Sequence, residues 1–336
     1  MGKTPDELKT LVVGWGMPAF TARQILKWIY EKHVFRFADM SDISKANREK
    51  LATLAAIGIN PPVETLTSAD GTEKYLFRLD DARTVEAVYI PDKERATLCI
   101  SSQVGCRMGC LFCMTGKQGL QRNLTAAEII NQILSVPHSM ELTNIVYMGM
   151  GEPTDNLDEV LKSMEAVTAP WGLSWSPKRV TLSTVGVRKG LKRFLQESKS
   201  HLAVSLHSPD MRRAEIIPAD RAFPAADMIN MLREYDFSHQ RRLSFEYIMF
   251  AGVNDSLSDA EALAHLIKGL DCRVNLIRYH AIPGVPLSCA SEKDMTMFRD
   301  ALNRKGITAT IRASRGEDIF AACGMLSSRH KKHTAE

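Results

Sequence analysis

Residues 106–113 read Cys106-Arg-Met-Gly-Cys110-Leu-Phe-Cys113, a CxxxCxxC triplet just after a strand-like segment, Thr97–Ser101. Three thiolates this close in sequence can converge on one metal centre. Zinc would need a fourth ligand, usually another nearby Cys or His. The next cysteine downstream is Cys272, and no histidine lies close to the triplet. A [4Fe–4S] cluster usually takes four cysteines, so three leave one iron open to a substrate or cofactor. The spacing favours an open cluster over zinc or unligated thiols.

Downstream of the triplet, strand and helix patterns alternate. Candidate strands are Thr97–Ser101, Asn144–Met148, Arg179–Ser183, Leu202–Leu206, Leu243–Met249 and Arg273–Ile277. Helical spacing fills the gaps at Ala126–Leu134, Asp158–Thr168, Val187–Gln196, Ala225–Tyr235 and Asp259–Lys268. Repeated βα units imply a parallel sheet with right-handed crossovers. About six units fall short of a closed eight-stranded barrel, so the α/β fold expected is a partial (β/α)6 TIM-like barrel. A doubly wound sheet is the alternative. In both, reactive groups belong at the C-terminal ends of the strands.

Upstream, residues 1–57 read as helical. Leu8, Leu11 and Val12 share one face, and Ile25, Trp28 and Ile29 another. Ser41 and Asp42 are the candidate caps of a third helix. Gly58, Pro61 and Pro62 mark a boundary, after which Lys74–Leu79 and Thr84–Ile90 look like two short strands around the turn Asp80-Asp81-Ala82. The division expected is a helical accessory domain at 1–58, a β connector at 59–95, a core at 96–326 and a basic, disordered tail at 327–336.

Composition sets the outer limits. The 336 residues are 45% hydrophobic and 24% charged, with 7 cysteines and a formal net charge of +4. Those values exclude a disordered chain, a collagen and a small disulfide scaffold. The mild basic excess permits a nucleic-acid partner without requiring one. No apolar run reaches the roughly 18–20 residues that span a bilayer. The first residues lack the apolar stretch of a signal peptide. A cytoplasmic protein with no membrane partner is expected, and clustered cysteines there point to metal binding or chemistry.

Further motifs agree with the triplet. Met148-Gly-Met-Gly151-Glu152-Pro153 follows a strand pattern. Glycine lets the backbone approach a ligand closely, and a carboxylate pairs with an ammonium. A dinucleotide fingerprint fails, because it would need glycine at Thr154. Together the two motifs resemble the radical S-adenosylmethionine (SAM) superfamily. That resemblance implies that Cys106, Cys110 and Cys113 hold one [4Fe–4S] cluster whose open iron binds SAM. One electron from the cluster then cleaves SAM to a 5′-deoxyadenosyl radical. The Gly151-Glu152 segment would hold the SAM amino group.

A narrower resemblance covers nearly the whole chain. Cys99 lies in Thr97-Leu-Cys-Ile-Ser-Ser-Gln-Val-Gly-Cys106, and Cys323 in Ala321-Ala-Cys323-Gly324. With Arg122-Asn-Leu-Thr125, Leu182-Ser-Thr-Val-Gly186, Val204-Ser-Leu-His207 and Gly252-Val-Asn-Asp-Ser256, these segments resemble the RlmN/Cfr family of RNA adenine methyltransferases. Residues 1–95 resemble that family's accessory domain and connector, which makes the helical segment an RNA-binding module. The resemblance implies SAM contacts at Gly151, Glu152, Ser183, Ser205, Leu206, His207 and His280. His280 stands where the family usually has Asn, and Arg278 is less typical of the C2-methylating branch and occurs in the C8-methylating one. Val104 and Pro153 favour the C2-methylating branch over the C8-methylating one.

The family's scheme accounts for the remaining residues. Adenine C2 is a poor nucleophile toward a sulfonium methyl group, whereas a thiolate is a good one. The scheme has Cys323 take a methyl group from a first SAM, and a second SAM generates the radical that activates it. Glu86 matches the proton acceptor. Cys99 resolves the protein–RNA adduct by forming a transient disulfide with Cys323. The implied substrates are adenine 2503 of 23S rRNA and adenine 37 of tRNAs. The implied partners are those RNAs, an electron donor such as flavodoxin or ferredoxin, and a thiol reductant. Cys272 and Cys289 match no motif and read as structural. A C8 methyltransferase and a non-catalytic iron–sulfur RNA-binding protein are the alternatives.

Overall fold

The structure, a computed structural model, describes residues 1–239 and 241–327. The expected tail disorder therefore lies outside the described residues, apart from Ser327. The first helix, Pro5–Gly14, starts at a capping box in which Glu7 N–H donates to Thr4 Oγ1 (3.3 Å) and Thr4 N–H to Glu7 Oε2 (2.8 Å). Helices Thr21–Tyr30 and Lys45–Leu54 follow. The cap of the last is Ser44, which accepts from Asn47 N–H at 3.3 Å, not Ser41 or Asp42. Asp42 instead accepts the Trp28 indole N–H at 2.5 Å.

These helices bury Val12, Ile25, Leu26, Ile29, Met40 and Leu51 against one another. Ile130, Leu134 and Ala166 complete the same cluster. They come from helices Ala126–Leu134 and Leu157–Thr168, so the N-terminal helices close their core on the α/β part of the chain. Asn131 adds a polar tie: its side chain exchanges two 2.8 Å hydrogen bonds with the Asn60 backbone.

Among the described residues twelve strands follow in chain order. They are β1 (Glu64–Thr67), β2 (Glu73–Arg78), β3 (Thr84–Asp92), β4 (Arg95–Cys99), β5 (Gln103–Val104) and β6 (Arg122–Asn123), then β7 (Asn144–Tyr147), β8 (Val180–Thr184), β9 (His201–Ser205), β10 (Leu243–Met249), β11 (Cys272–Arg278) and β12 (Thr308–Ile311). Ten form one open sheet in the order β1-β2-β3-β4-β7-β8-β9-β10-β11-β12, and β5 pairs with β6 separately. The strands β1 to β4 are mutually antiparallel, and every pairing from β4 through β12 is parallel. The parallel part is a partial TIM-like barrel. The predicted connector strands continue it as an edge meander.

Elements additional to the sequence reading include β1, the short β5–β6 pair, β12, the short helices Met114–Lys117 and Arg213–Ile216, and the helix Glu292–Arg304. Strand β12 buries only Ala309 well, between the exposed Thr308 and Thr310, so its pattern reads as a polar loop. The central parallel strands β7 to β11 are largely apolar on both faces, because one faces the outer helices and the other the lumen. Tyr147, Leu182, Val204, Phe245 and Leu276 are at most 1% exposed. Among the described residues no helix is long and apolar enough to cross a membrane.

Candidate active site

The loop after β4 carries the cysteine triplet. The β5–β6 pair pins its start, with Gln103 opposite Asn123 and Val104 opposite Arg122. Cys106 N–H donates to Gly119 O (3.1 Å), Leu111 N–H to Ile216 O (2.9 Å) and Cys113 N–H to Cys110 O (3.1 Å). Cys106 and Cys110 are buried and Cys113 is half-buried. Burial pushes the Cys106 thiol up to about 12 and also raises Cys110 and Cys113.

The segment after β7 presents Gly151 and Glu152. Gly151 has φ +100°, and a Cβ there would lie 2.6 Å from the Gln103 Cβ. Only glycine lets this backbone pass so close. Glu152 is buried, with Oε1 accepting from Thr154 N–H (3.0 Å) and Thr154 Oγ1 (2.6 Å) and Oε2 from Val185 N–H (2.9 Å). Burial raises its carboxyl pKa, and these hydrogen bonds oppose the rise. A buried carboxylate held this way can receive an ammonium group.

Ser183 on β8 and Ser205 on β9 line the same cavity as Gly151 and Glu152. Leu206 is fully buried and does not line it; its N–H donates to Glu246 O at 3.0 Å. His207 lines the cavity in an unusual backbone conformation, φ +57°. Its Nδ1 accepts Ile248 N–H at 2.9 Å, so the neutral ring carries its proton on Nε2. Burial, with a contribution from Arg213, pushes His207 down to about 3. Asn254 holds this conformation in place: its Nδ2 donates to His207 O (2.6 Å) and Ile248 O (2.8 Å), and its Oδ1 accepts Phe250 N–H (2.7 Å).

The far wall brings together the first strand of the parallel part and the C-terminal segment. Cys99 ends β4 and Cys323 lies in the C-terminal segment, which Met114 N–H ties to the cluster loop through Gly324 O at 2.8 Å. Gly324 has φ +84°, and a Cβ there would lie 2.9 Å from Phe112 O. The cavity encloses about 990 Å³, mouth included, and five cysteines line it: Cys99, Cys106, Cys110, Cys113 and Cys323. A second cavity of about 1000 Å³ shares Ile277, Arg312, Ala322 and Cys323 with the first. It carries His280, whose ring nitrogens meet Ser314 Oγ (3.1 Å) and Glu317 Oε1 (3.2 Å). Glu86 lines neither cavity. It is buried beside Lys74 (3.4 Å) and accepts Ser327 N–H (2.8 Å), one residue beyond the cavity-lining Leu326.

A model of the radical SAM superfamily matches residues 100–267, and one of a ribosomal RNA large subunit methyltransferase N-terminal domain matches residues 1–57. A protein of Bacteroides fragilis named probable dual-specificity RNA methyltransferase RlmN is 57% identical over 99% of this chain and 97% of its own length. The chain belongs to the RlmN family of the radical SAM superfamily. It is an enzyme of that superfamily. The RlmN named in Syntrophus aciditrophicus is 40% identical, covering 96% of this chain and 94% of its own. The crystal structure of a radical SAM methyltransferase from Sphaerobacter thermophilus superposes with a TM-score of 0.92 at 38% identity, covering 98% of each chain.

Membership in the RlmN family implies a [4Fe–4S] cluster and SAM, and the residues present fit both. Two buried thiols and one half-buried thiol line one cavity, where their thiolates would be costly without a cationic partner. Among the described residues no three His, Cys, Asp or Glu side chains converge on a single ion. Glu152, Ser183 and Ser205 supply polar groups in a cavity of nucleoside-ligand size.

Several RlmN-fold residues at the site have little or no sequence signal. Arg213 is fully buried below the strand ends yet sits in a polar run. Glu246, an acidic residue inside the apolar strand β10, and Arg312, next to β12, also line the cavity. Glu246 is the most readable of the three, since a lone carboxylate in Leu243–Met249 needs a reason.

Proposed function

We propose that the chain methylates C2 of adenine in RNA, at adenine 2503 of 23S rRNA and adenine 37 of tRNAs, in the cytoplasm. The observation that carries the reading is the shared cavity. Cys99 and Cys323 come from opposite ends of the fold and line one chamber with the cluster-loop cysteines. The relatives named dual-specificity RNA methyltransferases support the substrate class.

Bound at this site, the cluster and SAM supply methyl groups and a hydrogen-abstracting radical. Cys106, Cys110 and Cys113 would hold the cluster. Glu152 would orient the SAM amino group, with Ser183, Ser205 and the neutral His207 along the remaining wall. Leu206 and His280, outside that wall, would act through the backbone and through the second cavity. The Cys323 sulfur accepts the methyl group, and its activated methylene carbon then bonds to adenine C2. Loss of the C2 proton, and of one electron that the oxidised cluster would take back, restores the aromatic ring. Glu86 is the proposed acceptor of that proton, reached past Leu326 and Ser327. Attack of the Cys99 thiolate on the Cys323 sulfur breaks the sulfur–carbon bond, and a proton completes the methyl group on the RNA. The disulfide left behind takes two electrons from a thiol reductant. A flavodoxin or ferredoxin would supply the electron for the cluster.

The second cavity supports an RNA path. Arg95, Arg312 and Arg315 line it and it ends at Cys323, so a flipped-out nucleotide would enter past cations suited to its phosphates. The N-terminal helices would add grip on the RNA. The experiment is nucleoside mass spectrometry of rRNA and tRNA from a host lacking its own enzyme, with and without this chain. 2-Methyladenosine in both RNAs is expected. 8-Methyladenosine would move the chain to the C8 branch. Neither product, from cluster-loaded protein, would refute methylation.

A further inference from the structure

The cavity contains one charged side chain that is only half used. Glu246 lies on β10 and is 4% exposed. Its Oε1 accepts from Ser244 Oγ (2.9 Å) and from Asn275 Nδ2 (2.8 Å). Its Oε2 is buried and has no hydrogen-bond partner. The nearest cation, Arg312 Nη1, is 3.9 Å away, inside ion-pair range but beyond a hydrogen bond. A buried acceptor without a donor is unfavourable, so its retention beside a ligand cavity points to a donor on the ligand.

Register places this oxygen among the expected SAM contacts. Glu246 pairs with Ser205 across β9–β10, and Ser183 pairs with Ala203 across β8–β9. Strand alternation therefore puts Ser183, Ser205 and Glu246 on one face. On the other side, Arg312 and Cys323 both belong to the wall shared by the two cavities. If the sulfonium methyl group is to reach Cys323, the part of SAM next to Arg312 and Glu246 is the part next to its sulfur. With the methionine end directed to Glu152, that part is the ribose. A ribose hydroxyl can donate to a carboxylate, and its vicinal neighbour can accept from a guanidinium.

We infer that Glu246 is a SAM-binding residue, its free carboxylate oxygen accepting a hydrogen bond from a ribose hydroxyl of the cofactor, with Arg312 beside it as donor to the other. The inference rests on the proposed role of Cys323 as methyl acceptor, but its test needs no RNA and no turnover.

The decisive variant is Glu246→Gln. It keeps the side-chain volume, and the donors Ser244 and Asn275 hold its carbonyl oxygen at the Oε1 position. The amide NH2 then stands where the free oxygen was, a donor facing a donor. The probes are S-adenosylhomocysteine and its 2′-deoxy and 3′-deoxy analogues, measured by anaerobic equilibrium dialysis on cluster-loaded protein. Iron content and the thermal melt confirm the fold, and Glu246→Ala is read alongside. E246Q should bind S-adenosylhomocysteine about tenfold or more weakly than the unaltered protein. For at least one deoxy analogue the two proteins should bind alike, because the contact no longer exists to be lost. Unchanged affinity for S-adenosylhomocysteine would overturn the assignment. So would an equal loss for all three probes, which would place the contact elsewhere on the nucleoside. A failure of RNA methylation with this binding pattern intact would strike the proposed function and leave Glu246 assigned.

Discussion

Arg213 and Asp220 form an ion pair sealed beneath the strand ends that line the cysteine-bearing cavity. Arg213 is 0% exposed, and besides Asp220 it serves the carbonyls of Leu206 (3.0 Å, from Nε), Val185 (2.6 Å) and Ser205 (2.8 Å). One guanidinium thus ties β8, β9 and the loop beyond them. Arg213→Met would leave Asp220 buried without its cation and three carbonyls without a donor. Chemical denaturation should show a loss of about 3–5 kcal/mol. Arg213→Lys should recover only part of it, because an ammonium cannot reproduce the planar fork. A loss within experimental error for Met would refute the account of this pair.

The close passage of Gly151 past Gln103 gives a second prediction. Gln103 Oε1 accepts Glu152 N–H at 2.8 Å, while its Nε2 donates to Asn123 Oδ1 and Asp155 Oδ2, each at 2.9 Å. Gly151→Ala would push against this anchor and strain the φ of +100°. SAM affinity, measured by equilibrium dialysis, should fall by about tenfold or more while the iron content stays unchanged. Unchanged SAM affinity would show that this segment does not position the cofactor.

His207 should leave a signature in the pH dependence of stability. Its folded pKa of about 3 lies below the ordinary 6.5. The unfolded chain takes up a proton as the pH falls through 6.5, while the folded chain does not. The contribution to stability is therefore full above 6.5 and is lost progressively as the pH falls toward 3. Between those limits the slope is about 1.4 kcal/mol per pH unit. Urea titrations at pH 7.5 and 5.5 should show a smaller loss for His207→Gln than for the unaltered chain. Equal losses would mean that His207 titrates normally.

Much of this site was legible in the sequence because its chemistry is local. The triplet Cys106–Cys113 and the Gly151-Glu152 pair each sit in one short segment after one strand, so neighbouring residues carry the signal. Six of the seven parallel strands and the five helices between them followed from apolar runs and helical spacing, with ends shifted by up to three residues. What escaped depends on tertiary placement. Strand β12 buries little beyond Ala309, so its periodicity is faint, yet it leads into Arg312. Arg213 looks like any charged residue beside Arg212 until the fold encloses it. The helix Glu292–Arg304 does carry Met295, Phe298, Ala301 and Leu302 at helical spacing and was readable in principle. Cys289, read as structural, is exposed and joins only an isolated bridge to Phe250, while Cys272 is half-buried against the core.

Cys323→Ala should separate the cluster from the methyl carrier. Both line one cavity, but only the triplet belongs to the loop between β5 and β6. The variant should keep the iron content and visible spectrum of the parent and form no methyladenosine. Methylation that survives the substitution would remove Cys323 from the carrier role.

The most direct measurement of the central claim uses Cys99→Ala. Cys99 is buried in the shared cavity, and burial pushes its thiol up to about 12, with Arg312 pulling the other way. Without that thiol the Cys323 sulfur has no resolving partner. Cluster-loaded C99A incubated with SAM, reductant and a target RNA, then digested for mass spectrometry, should yield a Cys323 peptide joined through a methylene to adenine. Normal turnover with no such adduct would contradict the two-cysteine account.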